Sequence, residues 1–346
     1  MRFYDLQTKT VKPSNGSIST VSGMLPWDGS NSAGVVRQWT SFPNGSYDPG
    51  ALDIVFDLQI TPGHTPSGGS VISVHGVNIE DLYGAKNFAG AELSLYAGMT
   101  GGLPLSAAQP SPGLLVNATV FGAFGNWQGT EQTLDFVIVP STYTDENPGN
   151  IVFNWQPGQS FKDAITQTLN VAWPNSTATV IVNPSLMITD NQPRLHFCGT
   201  ATGLAHFIHD HTRGWSGLGK DYPGVHLYFN GSQITVTDFS KSVGPTIALT
   251  FADIIGQPTW LEAPVLTINT VLRADIQVGS YITLPKGDTA GPGSVLTVGS
   301  LQAAALQNKL TFSGKFYVKA LRAVGQFRGT GDDDWVCVIQ AVPVDL

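Results

Sequence analysis

His206, His209, Asp210 and His211 lie in one short run near the middle of the chain. Imidazole nitrogens and carboxylate oxygens are ordinary ligands for zinc and its neighbours. On a helix His206 and His209 share a face, and Asp210 lies one turn beyond His206. A zinc-protease helix needs two histidines four residues apart with a glutamate between them, and that pattern is absent. The run falls at the C-terminal end of an expected helix. There an imidazole complements the negative end of the helix dipole and the last free carbonyls. Capping and a solvated face account for the run, so the sequence predicts no metal ligand, no cofactor site and no catalytic residue.

Other segments resemble chemical motifs only in outline. Asp332-Asp333-Asp334 follows Gly329-Thr330-Gly331, but it lacks the spaced ligands and closing glutamate of a calcium loop. A solvated hairpin tip is expected there. Gly214 to Gly219 with Lys220 has the wrong spacing for a phosphate loop and no strand–loop–helix frame. No Gly-x-Ser-x-Gly elbow occurs, and Cys198 and Cys337 have no obvious histidine partner in sequence. The eight tryptophans are scattered. Scattered tryptophans serve as core or interface anchors more often than as sugar platforms.

The His run belongs to the part of the chain with helical periodicity. Ser160 is an expected N-cap with Asp163 three residues on, and Phe161, Ala164, Ile165 and Leu169 form one face. A second helix is expected from Thr200 to His211, with Ala201, Leu204, Ala205 and Ile208 on its apolar side. A strand is expected at Thr179 to Val182. Val225 to Phe229 and Gln233 to Thr237 flank Asn230-Gly231-Ser232, a hairpin signal. Residues 149–241 thus read as a small α+β domain. On either side the period changes to two. Leu52, Ile54, Phe56, Leu58 and Ile60 alternate with polar residues, as in a half-buried strand. Val71 to Val77, Glu92 to Tyr96 and Thr133 to Val139 read as further strands. Residues 1–148 therefore form a first β domain and residues 242–346 a second. Leu301 to Leu306 is a helix-favouring interruption of the second.

Composition narrows the function. The chain has 346 residues, enough for two or three domains. Charged residues make up only 12%, about half the usual share of ~25%. That suits a surface buried in an assembly, and it equally suits a surface of Ser, Thr, Asn and Gln. A net charge of −8 argues against gripping nucleic acid, which requires a basic surface. An acidic wall could instead let DNA slide past. Two cysteines do not make a disulfide framework, and buried thiols in a chain folded in a reducing cytoplasm are expected. The N-terminus lacks a signal-peptide core. No apolar run reaches the ~18 residues of a membrane span.

The order of pieces carries a resemblance. Gly256 and Pro258 are followed by Val271-Leu272, then by Val278-Gly279 with Ile282 and Leu284. Gly314 with Phe316 and Val318 comes next, and Asp334-Trp335 precedes the last strand. This order resembles the closing barrel of bacteriophage baseplate hub proteins. The family often has a His and a Gly-Asp in a turn here occupied by Ala323-Val324-Gly325-Gln326. Ser160 to Ile165 and Gly199-Thr200 resemble the family's α+β insert. Gly76-Val77, the strand from Leu93 to Gly98, Leu103-Pro104-Leu105 and Gly122 to Trp127 resemble its first barrel. The resemblance implies a mainly β fold, with two tail-tube-like β-barrel domains flanking a small α+β domain. It implies a homotrimer whose six barrels form a pseudo-sixfold ring. That ring would join a hexameric tail tube protein to a trimeric spike protein among other baseplate proteins. Genomic DNA would pass through the lumen without specific binding. The place implied is the virion tail, assembled in the host cytoplasm.

Two other classes compete. One is a virion-borne or secreted carbohydrate-binding module, which with glycosidase activity would need paired carboxylates in a cleft. The other is a tail-tube or capsid protein, but a single-barrel tube protein does not need the segment 149–241. The stretches 97–115 and 286–312 are long for hairpin connections. They are nearly free of charge and rich in Gly, Ala, Leu and Pro. Burial against a neighbouring subunit is expected for both.

Overall fold

The computed structural model describes residues 2–9, 35–65, 69–99, 113–139, 150–188, 192–262, 264–285, 314–331 and 333–344. Most of the expected subunit-contact stretches, including the 301–306 run, lie outside the described residues. So do the expected first boundary near residue 148 and Asp332.

The fold is mainly β. The first segment contributes β1 (Arg2–Lys9), β2 (Val35–Thr40), β3 (Asp53–Ile60), β4 (Ser70–His75), the short helix α1 (Ile79–Tyr83), β5 (Glu92–Met99), β6 (Gly113–Gln128) and β7 (Glu131–Val139). The middle contributes β8 (Ile151–Trp155), α2 (Phe161–Ala172), β9 (Thr177–Ile181), β10 (Arg194–Cys198), α3 (Ala201–Thr212), β11 (His226–Asn230) and β12 (Gln233–Thr237). The last segment contributes β13 (Ile247–Ala248), β14 (Thr259–Glu262), β15 (Val265–Val271), β16 (Tyr281–Leu284), β17 (Gly314–Gln326) and β18 (Trp335–Pro343).

Strands of the first and last segments pair into one sheet, in the order β14-β15-β18-β17-β3-β4-β7-β6-β5-β1-β2. The seam is the antiparallel pair β3–β17, running from Leu321 opposite Ile60 to Gln326 opposite Val55. Alternation in β3 buries Ile54, Phe56, Leu58 and Ile60 and leaves Asp57 half-exposed. Arg322 reaches Asp57 across the seam with two hydrogen bonds, of 2.8 and 2.6 Å. Gly325 lies opposite Phe56, and a Cβ there would stand 2.1 Å from the Phe56 ring. Glycine at that position therefore lets the ring cover the strand.

The expected turn Ala323 to Gln326 is instead the end of β17, paired with β3 on one side and β18 on the other. Ala97 to Met99, expected in a loop, extend β5 and pair with β1, and Gly113 to Leu115 already belong to β6. β-pairing to a buried neighbour overrides the turn character of their glycines.

The first and last segments share one core, which includes Tyr4, Phe56, Phe136, Ile268 and Ile339. The middle unit has its own core around Trp155, Phe161, Leu204 and Val236. There β8 pairs with β10, while β12 lies between β11 and a parallel β9. The Ser160 hydroxyl accepts from the Asp163 backbone N–H at 3.1 Å and donates to the Asp163 carboxylate at 2.7 Å, capping α2. Thr200 caps α3 through the Gly203 N–H at 3.0 Å. The two cores meet at Tyr228, whose hydroxyl donates to the Lys319 carbonyl at 2.8 Å.

Candidate metal centre

The turn after β3 brings the first segment onto the middle unit. The Gly63 N–H donates to the Leu227 carbonyl of β11 at 2.7 Å. A Cβ at Gly63 would stand 3.1 Å from the Ala205 Cβ on α3 and 3.3 Å from the Phe229 ring. Only a glycine allows so close an approach without displacing those neighbours. The next residue, His64, is thereby laid against α3 and the start of β11.

There the structure gathers three histidines from three places in the chain. His64, His209 on α3 and His226 at the head of β11 each offer a nitrogen within 4.8 Å of the other two. The His64 and His209 rings stack with centroids 4.0 Å apart, and each lies 5.0 Å from His226. His226 is 5% exposed. Its Nδ1 and that of His64 are buried without a hydrogen-bond partner among the described residues. Burial first, then the neighbouring imidazoles, pushes His64 down to about 4. Burial likewise pushes His226 down to about 2, with His64 and His209 adding to it. Desolvation disfavours the charged form, so both rings are neutral near pH 7. The Nδ1 of His209 lies 3.3 Å from the Asp210 carboxylate.

Of the run His206/His209/His211, the helix sends members in two directions. His206 and His209 face His64, with the His206 ring centroid 6.1 Å away. His211 turns to the other side, against Phe207 at 4.2 Å, and Phe207 in turn stacks on His196 at 3.9 Å. His64 and His226 have no role in the sequence-based reading. They are remote in the chain, and only the Pro62-Gly63 turn and the 225–229 strand signal mark where they sit.

The other motifs take structural places. The Asp334 carboxylate accepts from the Gly331 N–H within its own turn. Trp215, Leu218 and Tyr222, from the glycine-punctuated loop after α3, pack on the middle core, and Lys220 is exposed. Trp39, Trp155, Trp173 and Trp335 are buried anchors, whereas Trp127 and Trp260 are about half exposed. Both cysteines are buried and unpaired.

No protein-family model matches the chain, and no curated protein matches it in sequence. Among solved structures the chain is similar to a tail protein from Neisseria meningitidis MC58. The TM-score is 0.41 at 10% identity, covering 84% of this chain and 92% of that one. It is similar to a 43 kDa tail protein of prophage MuSo2 from Shewanella oneidensis, with TM-score 0.43 and 10% identity, covering 99% and 98%. It is also similar to a chain of the Francisella PdpA–VgrG complex, with TM-score 0.45 and 7% identity. That match covers 99% of this chain and 53% of the other.

Proposed function

We propose that this chain is a structural component of a phage-type tail, and within the tail the baseplate hub. In this role three copies place their two β-rich segments, 1–148 and 242–346, as six tube-like barrels around a lumen. The ring joins a hexameric tail tube to a trimeric spike and contacts other baseplate proteins, and genomic DNA passes through it without specific binding. The observation that carries this proposal is the β3–β17 seam. It holds two β-rich segments side by side in one sheet, with an α+β unit inserted between them in sequence. A subunit that contributes two adjoining positions to a ring needs such a rigid connection between its halves. Exposed aromatics add support. Phe121, Phe124 and Trp127 on β6 and Tyr83 on α1 are between 57% and 77% exposed. Aromatic side chains are enriched at protein interfaces. The acidic balance of the chain suits a DNA passage that does not bind.

In this function the chain has no catalytic residue and works by shape and contact. Light scattering on the purified protein, beside negative-stain imaging, tests it. A mass of three chains with ring-shaped particles is expected. A monomer at every concentration, with affinity for glycans, would overturn it in favour of the carbohydrate-binding class.

A further inference from the structure

We propose that His64, His209 and His226 form a binding site for one divalent transition metal of the zinc class, which fastens the turn after β3 to the middle unit. The donor set is all imidazole. It suits zinc, nickel or copper and disfavours calcium and magnesium, which require oxygen. Three protein ligands with an open fourth position match a three-histidine site. His206, one turn before His209 and on the same side of α3, stands at the mouth where a fourth ligand or a water would enter.

Two observations support the assignment independently of spacing in the sequence. First, His226 is 5% exposed and keeps a ring nitrogen with no hydrogen-bond partner among the described residues, as does His64. Buried polar atoms are nearly always satisfied, and a metal would satisfy both at once. Second, Asp210 engages Nδ1 of His209 and leaves Nε2 for a ligand. A carboxylate behind a ligating histidine is the usual outer support of such sites.

The fit requires a small closure. Tetrahedral zinc with Zn–N of ~2.0–2.1 Å puts its nitrogens roughly 3.3 Å apart, against a spread of up to 4.8 Å here. The stacked rings of His64 and His209 must tilt until both nitrogens converge. His64 sits in a turn and His209 is only half-buried, so side-chain rotation supplies this without moving a strand.

The test uses full-length protein purified without a polyhistidine tag and stripped with chelator. Zinc and cobalt(II) are titrated separately by equilibrium dialysis, and tetrahedral cobalt absorption is recorded. One metal per chain is expected, with a rise in thermal midpoint on zinc addition. His64→Gln should bind at least about tenfold more weakly while keeping the wild-type circular dichroism and the wild-type midpoint in chelator. His209→Gln serves as the second variant if His64→Gln misfolds. His211→Gln, on the opposite side of α3, should bind like the parent. No stoichiometric metal at micromolar zinc, or equal affinity in the His64 and His209 variants and the parent, would overturn the site. Metal binding is read per chain, so its failure is distinguishable from failure to form a ring.

Discussion

Replacing Gly325 with alanine should unlock the seam between the first and last segments. The new Cβ would stand 2.1, 2.3 and 2.7 Å from three ring carbons of Phe56, where contact distances are ~3.5–4.0 Å. The ring must therefore withdraw by roughly 1.5 Å. It has nowhere to go, because Phe56 is 1% exposed and meets Trp335 edge-on at 5.2 Å. Overpacking of this kind costs about 1–3 kcal/mol, and loss of the aromatic pair adds about 0.5–1.5 kcal/mol. The expected loss is about 3 kcal/mol, a large part of the ~5–15 kcal/mol that holds a domain together. Urea unfolding followed by tryptophan fluorescence, with Trp335 as the local reporter, measures it. Phe56→Ala alone should cost about 3–5 kcal/mol by leaving a cavity. If the clash is the whole effect, the double variant is no less stable than Phe56→Ala, and the coupling is about 3 kcal/mol. A Gly325→Ala protein within about 0.5 kcal/mol of the parent, or strictly additive losses, would show that β3 and β17 do not pair in this register.

Further outcomes follow from other contacts. Arg273, 7% exposed, holds Asp253 at 3.0 Å and Asp275 at 2.8 Å. Arg273→Met should cost about 3 kcal/mol or more by stranding the buried Asp253 carboxylate, and an unchanged denaturation midpoint would contradict that. Ser160→Ala should cost about 1 kcal/mol through loss of the α2 cap, readable in the thermal midpoint. Alkaline stability should collapse abruptly. Burial raises Cys337 to about 12 and Tyr317 to about 12, and lifts Tyr4, Tyr222 and Tyr228 as well. Unfolded, the thiol ionises from about pH 9 and the phenols from about pH 10 while the folded groups stay protonated, so stability falls as pH rises. Each group removes about 1.4 kcal/mol per pH unit in its window. Gradual loss with no cooperative transition by about pH 12 in a circular dichroism titration would refute this.

Sequence periodicity located β3 and missed β1. β3 alternates cleanly because one face meets the core and the other meets solvent, and its strand was legible. β1 carries no such signal, since nearly all of RFYDLQTK is buried on both faces. Its Asp5 lies at 0% exposure, satisfied by the side-chain amides of Gln7 and Gln38 at 2.8 Å each. Polar residues buried in pairs look like surface residues when read singly. The cap Ser160 was legible because capping chemistry is local; Thr200, expected as the first residue of α3, caps it instead. Of the histidine cluster only His209 was named, on a helix expected to carry no metal ligand; His64 and His226 join it only through the Gly63 approach to β11. Contacts between remote segments leave no period to read.

The β11–β12 turn has a consequence for solubility. Among the described residues, strand β6 is flanked by β5 from Gly113 onward and by β7 from Thr119 onward. The backbone N–H of Asn117, just before Thr119, is taken by the Asn230 side chain at 2.8 Å. Gly231 there adopts φ +59, and a Cβ on it would stand 2.7 Å from Asn117. The tip of the middle unit thus covers β6 at Asn117 and occupies its backbone donor. Excising the middle unit to obtain a minimal β protein would free that donor, and unpaired strand donors invite strand addition from other chains. Such a truncated protein should precipitate as β-rich aggregate while each remaining strand keeps its native sequence.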